Sequence, residues 1–185
     1  REINGTDETV VAVIGDGSLT GGMAYEALNN ASRMNSNFII ILNDNNMSIS
    51  ENVGGVSKYL NEIRTANHYI NLRDKVYYKM LDKPNGHKVI NTVRKTKNVI
   101  KQLVVPGMFF EDMGITYLGP VDGHNLNELN KVLKDAKRVN KAVIVHVITK
   151  KGKGYEPAEK HPSRFHGAEP FDINTGIPST KREKA

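Results

Sequence analysis

Apolar residues along the chain fall into two kinds of pattern. Thr9 to Ile14 (TVVAVI), Phe38 to Leu42 (FIIIL) and Ala142 to Ile148 (AVIVHVI) are near-continuous aliphatic runs rich in β-branched residues. Such runs predict strands covered on both faces, as in a parallel sheet. Between the first two, Ala24, Ala27, Leu28 and Ala31 recur at helical spacing, a small-residue face that can pack closely on a sheet. Residues 9 to 42 therefore predict one strand–helix–strand unit with a right-handed crossover. Farther on, Ile115 to Leu118 predicts a short strand, and Leu126, Leu129, Leu133 and Ala136 predict the apolar stripe of a helix. The expected fold class is α/β, a mostly parallel sheet with flanking helices.

The polar stretches divide the chain further. After Asn43-Asp44-Asn45-Asn46, a Ser/Asn/Gly-rich loop runs to about Gly55. Residues 57 to 105 predict a helical insert, with Val89, Val93, Thr96, Ile100 and Leu103 on one stripe and a break at Pro84-Asn85-Gly86. Beyond Thr149 the chain is polar, rich in Gly and Pro and without periodicity, which predicts an extended arm. Four parts result: residues 1–56, an insert at 57–113, a second sheet unit at 114–148, and the arm at 149–185. No internal repeat is evident.

Composition narrows the possible chemistry. A chain of 185 residues, 38% hydrophobic, suits one domain with a core of ordinary size. It has no cysteine, which excludes disulfides, thiolate metal sites and a cysteine nucleophile, and a reducing cytoplasm is the expected setting. The longest apolar runs are five residues, far short of the roughly 20 that span a bilayer as a helix. Arg1-Glu2-Ile3-Asn4-Gly5 is neither a secretory leader nor an initiator start, so a piece of a longer protein is expected. The net charge of +6 is uneven: between Arg64 and Lys101 ten Lys/Arg face only Asp74 and Asp82. Such a block can bind nucleic acid. No nucleic-acid motif frames it, however, and a solvated helical insert is the favoured account.

The strand ends carry the candidate chemistry, because ligands of open α/β sheets bind at the carboxyl ends of strands beside helix N-termini. Gly15-Asp16-Gly17-Ser18 follows the first strand and is expected to open the helix. Glycines 15, 17, 21 and 22 do not fit the G-x-G-x-x-G dinucleotide fingerprint, and no G-K-[ST] P-loop is present. Asp16 itself would repel a phosphate unless a cation lay between them. Hard divalent cations such as Mg²⁺ take oxygen ligands and bridge protein groups to phosphates. Asp16 and the Asn45 side-chain oxygen, brought together by adjacent parallel strands, would form half of such a shell. A backbone carbonyl just after Asn45 could add a third ligand, and the small residues Gly17 and Ser18 would let backbone N–H groups approach phosphates.

G-D-G followed by Asn 29 residues after the Asp resembles the thiamin diphosphate motif. Four longer blocks narrow the resemblance: GDGSLTGGMAYEALN (15–29), ILNDNNMSISENVGG (41–55), YLGPVDGH (117–124) and TKKGKGYEPAEK (149–160). In this order they are similar to the 1-deoxy-D-xylulose-5-phosphate synthase family, over nearly the whole chain and least in the basic block. The resemblance implies part of a thiamin diphosphate-binding fold, with Asp16, Asn45 and the Met47 carbonyl on Mg²⁺. It implies Gly17, Ser18 and Asn45 at the diphosphate and Tyr155 near the cofactor. Lys151 and His166 would stand on the substrate side as catalytic residues. The implied activity joins pyruvate to D-glyceraldehyde 3-phosphate with loss of CO₂, giving a precursor of isoprenoids, thiamin and pyridoxal, in a cytoplasmic homodimer. The activating carboxylate of that family lies on another domain, so residues 1–185 alone are expected to be inactive and to bind the cofactor weakly.

Each residue also has a plainer role available. Asp16 could cap a helix and Asn45 could be a turn residue; together they favour a metal. His124 suits a structural turn, His146 a satisfied core histidine, and Lys151, Lys153 and His166 a solvated arm. Glu51 is given no role. Transketolase, which shares the metal motif and the Asp-Gly-His word, remains the alternative enzyme, and a basic nucleic-acid-binding module the alternative without catalysis.

Overall fold

The computed structural model describes residues 1, 3–48, 52–64 and 108–179. Four strands form one parallel sheet: β1 (Val10–Gly15), β2 (Phe38–Asp44), β3 (Thr116–Asp122) and β4 (Ala142–Ile148), in the order β1-β2-β4-β3. The helices are α1 (Gly22–Ala31), α2 (55–64), α3 (Met108–Asp112), α4 (Leu126–Lys137) and α5 (Glu156–Lys160). The α/β class and the three long strands agree with the sequence pattern, and β3 runs four residues beyond the expected stretch. Most of the predicted insert lies outside the described residues. No helix among the described residues is long and apolar enough to cross a membrane.

Strand alternation sorts side chains into two cores. Ile40, Leu42, Ala142, Ile144 and Tyr117 point to one face, where Leu28 and Ala31 of α1, Leu60 and Ile63 of α2, and Phe110 of α3 cover them. Ile39, Val143, Val145 and Val147 point to the other and pack against α4 through Leu129, Val132, Leu133 and Ala136. Asn125 caps α4, its side-chain oxygen accepting from the N–H groups of Asn127 and Glu128. Leu126, expected on the apolar stripe, is instead 75% exposed. The stripe starts at Leu129, and Val132 joins Leu129, Leu133 and Ala136 on it.

Two further expectations are corrected. β1 is not covered on both faces: Val10, Val11 and Val13 are 44%, 45% and 70% exposed. An apolar run reports that a strand can be buried, and β1 is an edge strand beyond the reach of α4. The arm is not simply extended either, since it holds α5 and an antiparallel bridge between Phe171 and Pro178. Tyr155, Phe165 and Phe171 meet there ring against ring, and aromatic contacts of this kind order a segment that lacks helical periodicity.

β3 and β4 shift register between Leu118 and Val121. Gly119 sits at this irregularity with φ of 118°, and a Cβ built there would lie 2.6 Å from the His146 carbonyl oxygen. Gly119→Ala is therefore expected to destabilise the fold by about 2–4 kcal/mol, from left-handed strain and overpacking together. Chemical denaturation of the two proteins measures this, and equal midpoints would contradict the close approach.

Candidate functional site

All four strands point their carboxyl ends the same way, and the polar residues gather there. Gly15 is paired with Asn43, which brings Asp16, just past β1, beside Asp44 and Asn45 at the end of β2. Asp16 opens a 3₁₀ turn, Asp16–Thr20, rather than α1 itself, which begins at Gly22. No side chain caps either element, so Asp16 is not a helix cap. The turn closes through the Thr20 hydroxyl, which donates to the Gly17 carbonyl at 2.7 Å.

Asp16 is only 4% exposed, and Asn52 Nδ2 donates to its Oδ2 at 2.8 Å. Burial pushes its carboxyl above the ordinary range, and the neighbouring Asp44 carboxylate pushes it further. The backbone N–H groups of Gly17 and Asn45 oppose that rise without cancelling it. Asp44, 1% exposed, moves the other way. Burial alone would raise it, but the His146 hydrogen bond, the Arg64 charge and the Asn46 N–H outweigh burial and hold its carboxyl low. Asp44 is ion-paired with Arg64. Of the two carboxyls, Asp16 is therefore the one that holds a proton more readily.

The predicted residues can now be placed. Asn45 meets Asp16 through its backbone N–H, and its Oδ1 accepts the Met47 N–H at 3.0 Å. One lone pair of that oxygen is thereby used and a second remains. Gly17 abuts the loop that follows: a Cβ there would lie 3.0 Å from Ser48 Cβ and 3.2 Å from Asn52 Oδ1. Ser18 is exposed on the same turn. Lys151 and His166 come together, with Lys151 Nζ 2.7 Å from His166 Nδ1 and 2.7 Å from the Ser48 carbonyl oxygen. The arm therefore returns to the loop that carries Asn45 and Met47. Tyr155 is held in the aromatic cluster, its hydroxyl donating to the Ile173 carbonyl at 2.8 Å.

His124 and His146 both make structural contacts. His124 Nε2 accepts the Lys150 N–H at 2.9 Å, tying the Asp122-Gly123-His124 turn to the start of the arm. His146 is fully buried between Asp44 Oδ2 (2.9 Å from Nε2) and the Tyr117 hydroxyl (2.7 Å from Nδ1). Glu51 lies outside the described residues. Sequence reasoning missed Asp44, Asn52, Arg64 and Tyr117 as members of the site. Parity was the available signal for Asp44, which follows Ile40 and Leu42 on the buried side of β2.

Among the described residues no cluster of three or more His, Asp or Glu side chains could hold a metal ion. Around the Asp16 carboxyl stand the N–H groups of Gly17 and Asn45, the Asn52 amide and the Asp44 carboxyl.

The sequence model of the 1-deoxy-D-xylulose-5-phosphate synthase family matches residues 1–149. The enzyme of that name from Lachnoclostridium phytofermentans is 56% identical over 177 residues, which are 95% of this chain and 28% of the relative. That from Natranaerobius thermophilus is 50% identical over 186 residues, 100% of this chain and 30% of the relative. The chain thus spans less than a third of the length of these curated relatives. Among solved structures, transketolase from Campylobacter jejuni is similar in fold, with a TM-score of 0.52 at 23% identity over 85% of this chain and 18% of that one.

The depressed Asp44 carboxyl gives a pH signature. A group whose folded value lies below its unfolded one stabilises the fold above the unfolded value, about 3.9 for Asp, and that stabilisation is lost as pH falls through the folded value. Asp44→Asn is expected to cost about 3–5 kcal/mol near neutrality, since it strips a buried pair of one partner. The difference from the unmutated protein should shrink in acid. Denaturation midpoints measured from pH 7 down to pH 2 check this, and a pH-independent difference would exclude it.

Proposed function

Because the chain belongs to the 1-deoxy-D-xylulose-5-phosphate synthase family, we propose that it forms the metal- and diphosphate-binding half of a thiamin diphosphate site. The whole protein is a transferase that condenses pyruvate with D-glyceraldehyde 3-phosphate, releases CO₂ and yields 1-deoxy-D-xylulose 5-phosphate, a precursor of isoprenoids, thiamin and pyridoxal. It works as a cytoplasmic homodimer. Residues 1–56 carry the metal unit, 57–113 a basic helical insert, 114–148 the rest of this sheet and 149–185 an arm.

The observation that carries this reading is the pair of buried carboxyls, Asp16 and Asp44, facing each other at the ends of neighbouring strands. Two such charges repel by about 4 kcal/mol at 4 Å and an effective dielectric near 20. A divalent cation on Asp16 would turn that repulsion into attraction. The donor set suits Mg²⁺: the Asp16 carboxylate, the free lone pair of Asn45 Oδ1 and the Met47 carbonyl. Thiamin diphosphate, when bound, supplies a nucleophilic carbon and an electron sink.

The chain's own groups have defined tasks in this reading. Backbone N–H groups of Gly17 and Ser18 bind diphosphate oxygens, with Asn45 alongside. Gly17 lacks a Cβ because Ser48 and Asn52 leave no room for one. Lys151 presents a positive charge beside the metal loop, where it offsets charge on a reacting carboxylate or alkoxide. His166, whose Nδ1 accepts from the Lys151 ammonium, holds or passes a proton at Nε2 on the substrate side. Tyr155 helps wall the cofactor through the aromatic cluster it organises. Residues 1–185 alone lack the carboxylate that activates the cofactor and are inactive by themselves.

Asp16→Ala in the full-length protein is expected to lower kcat/KM by about 100-fold or more, since even outer-shell changes at metal sites cost 10–100-fold. It should also abolish the dependence on Mg²⁺. Turnover with pyruvate and D-glyceraldehyde 3-phosphate at graded Mg²⁺ reads both effects. Unchanged Mg²⁺ dependence in the variant, or turnover with ketose donors in place of pyruvate, would refute the assignment.

A further inference from the structure

One polar side chain from each of β3, β4 and β2, and one from the turn after β1, line up across the sheet in strand order. Tyr117 of β3 reaches His146 of β4 at 2.7 Å, His146 reaches Asp44 of β2 at 2.9 Å, and Asp44 faces Asp16. Their exposures are 8%, 0%, 1% and 4%. They share the face of Leu42, Ile144 and Phe110, where a polar group without a partner is costly. We propose that Tyr117 and His146 are positioning residues for the metal-binding turn, acting on Asp16 and Asn45 through Asp44. The inference rests on the reading of Asp16 and Asn45 as metal ligands.

The argument runs from one atom to the next. A carboxylate only accepts, so His146 Nε2 carries the hydrogen directed at Asp44 Oδ2. Nδ1 of the neutral ring is then an acceptor, and the Tyr117 hydroxyl is its donor; this tautomer follows from the hydrogen-bond network. With Oδ2 held by His146, Asp44 Oδ1 is left to accept the Asn46 N–H at 3.1 Å and to pair with Arg64. The Asn46 bond fixes a backbone with φ of 61°, in the left-handed region. That conformation sets the turn in which Asn45 Oδ1 accepts the Met47 N–H. The main chain of Asp44 is pinned as well, its carbonyl accepting the Thr149 N–H at 2.8 Å. Rotation of the Asp44 carboxylate would therefore move Asn45 and alter the contact with Asp16, and His146 restrains that rotation at Oδ2. Groups that orient a metal ligand in this manner tune affinity without touching the ion.

Removing the Tyr117 hydroxyl is the mildest interruption, because Tyr117→Phe keeps the ring that stacks on Phe110. The control is Ile144→Val, on the same face of β4, which loosens packing without touching the polar chain. The readout is Mn²⁺ affinity of the full-length protein with thiamin diphosphate present, followed by electron paramagnetic resonance, with melting temperatures measured in parallel. Tyr117→Phe should weaken Mn²⁺ binding about tenfold, while Ile144→Val should lower the melting temperature and leave the affinity unchanged. Wild-type affinity in Tyr117→Phe, or an equal loss in Ile144→Val, overturns the positioning role. Asp16→Ala separates the two levels: if it abolishes Mn²⁺ binding and Tyr117→Phe does not weaken it, only the positioning role falls. If Asp16→Ala binds Mn²⁺ normally, the metal site itself falls and the inference with it.

Discussion

Two carboxyl groups are buried side by side where β1 and β2 end, and each is kept there by different means. Asp44 is surrounded by donors, His146, Arg64 and the Asn46 N–H, which keep it charged despite burial. Asp16 has the N–H groups of Gly17 and Asn45 and the Asn52 amide, and among the described residues no ion pair to a cationic side chain. The imbalance is local and electrostatic, and the parallel register of β1 on β2 imposes it by setting Gly15 against Asn43.

The rest of the carboxyl-terminal edge is arranged around that pair. Thr149 closes on β2 twice, its N–H on the Asp44 carbonyl and its hydroxyl on Asn43 Oδ1 at 2.7 Å. His124 holds the next residue, Lys150, and Gly123 donates to the Ile148 carbonyl. These bonds start the arm in a fixed direction, and Lys151 then reaches the Ser48 carbonyl. The arm's aromatic cluster and α5 add order that small apolar areas alone would not provide. Lys150 is ion-paired with Glu159, whose other oxygen accepts the Gly154 N–H at 2.9 Å, so the Gly-Lys-Gly segment is tied back on itself.

Much of this could be read from residue order, and what could not has identifiable causes. FIIILND and AVIVHVI announce buried strands because continuous aliphatic runs have few other homes, and Asp16 and Asn45 stand out as polar residues where such runs stop. His146 is read correctly as a core residue from its apolar neighbours alone. Its partners are not legible: Asp44 and His146 meet because β4 lies beside β2, an adjacency that skips β3 in the chain. Tyr117 is hidden for the same reason. The exposure of β1 is illegible on other grounds, since a run of valines specifies that a strand can be covered and not what covers it. The arm misleads because turns and ring contacts leave no period.

The polar chain draws its physical sense from where Asn45 stands. Asn45 extends from β2, which is hydrogen-bonded on both sides and packed on both faces. Among the described residues, Asp16 follows β1, which pairs with β2 in parallel register. A cation bridging the two strands, as proposed, would stabilise their joined state in proportion to its occupancy. The Tyr117–His146–Asp44 chain would act from β2, presenting a fixed Asp44 and a fixed Asn45 turn to Asp16.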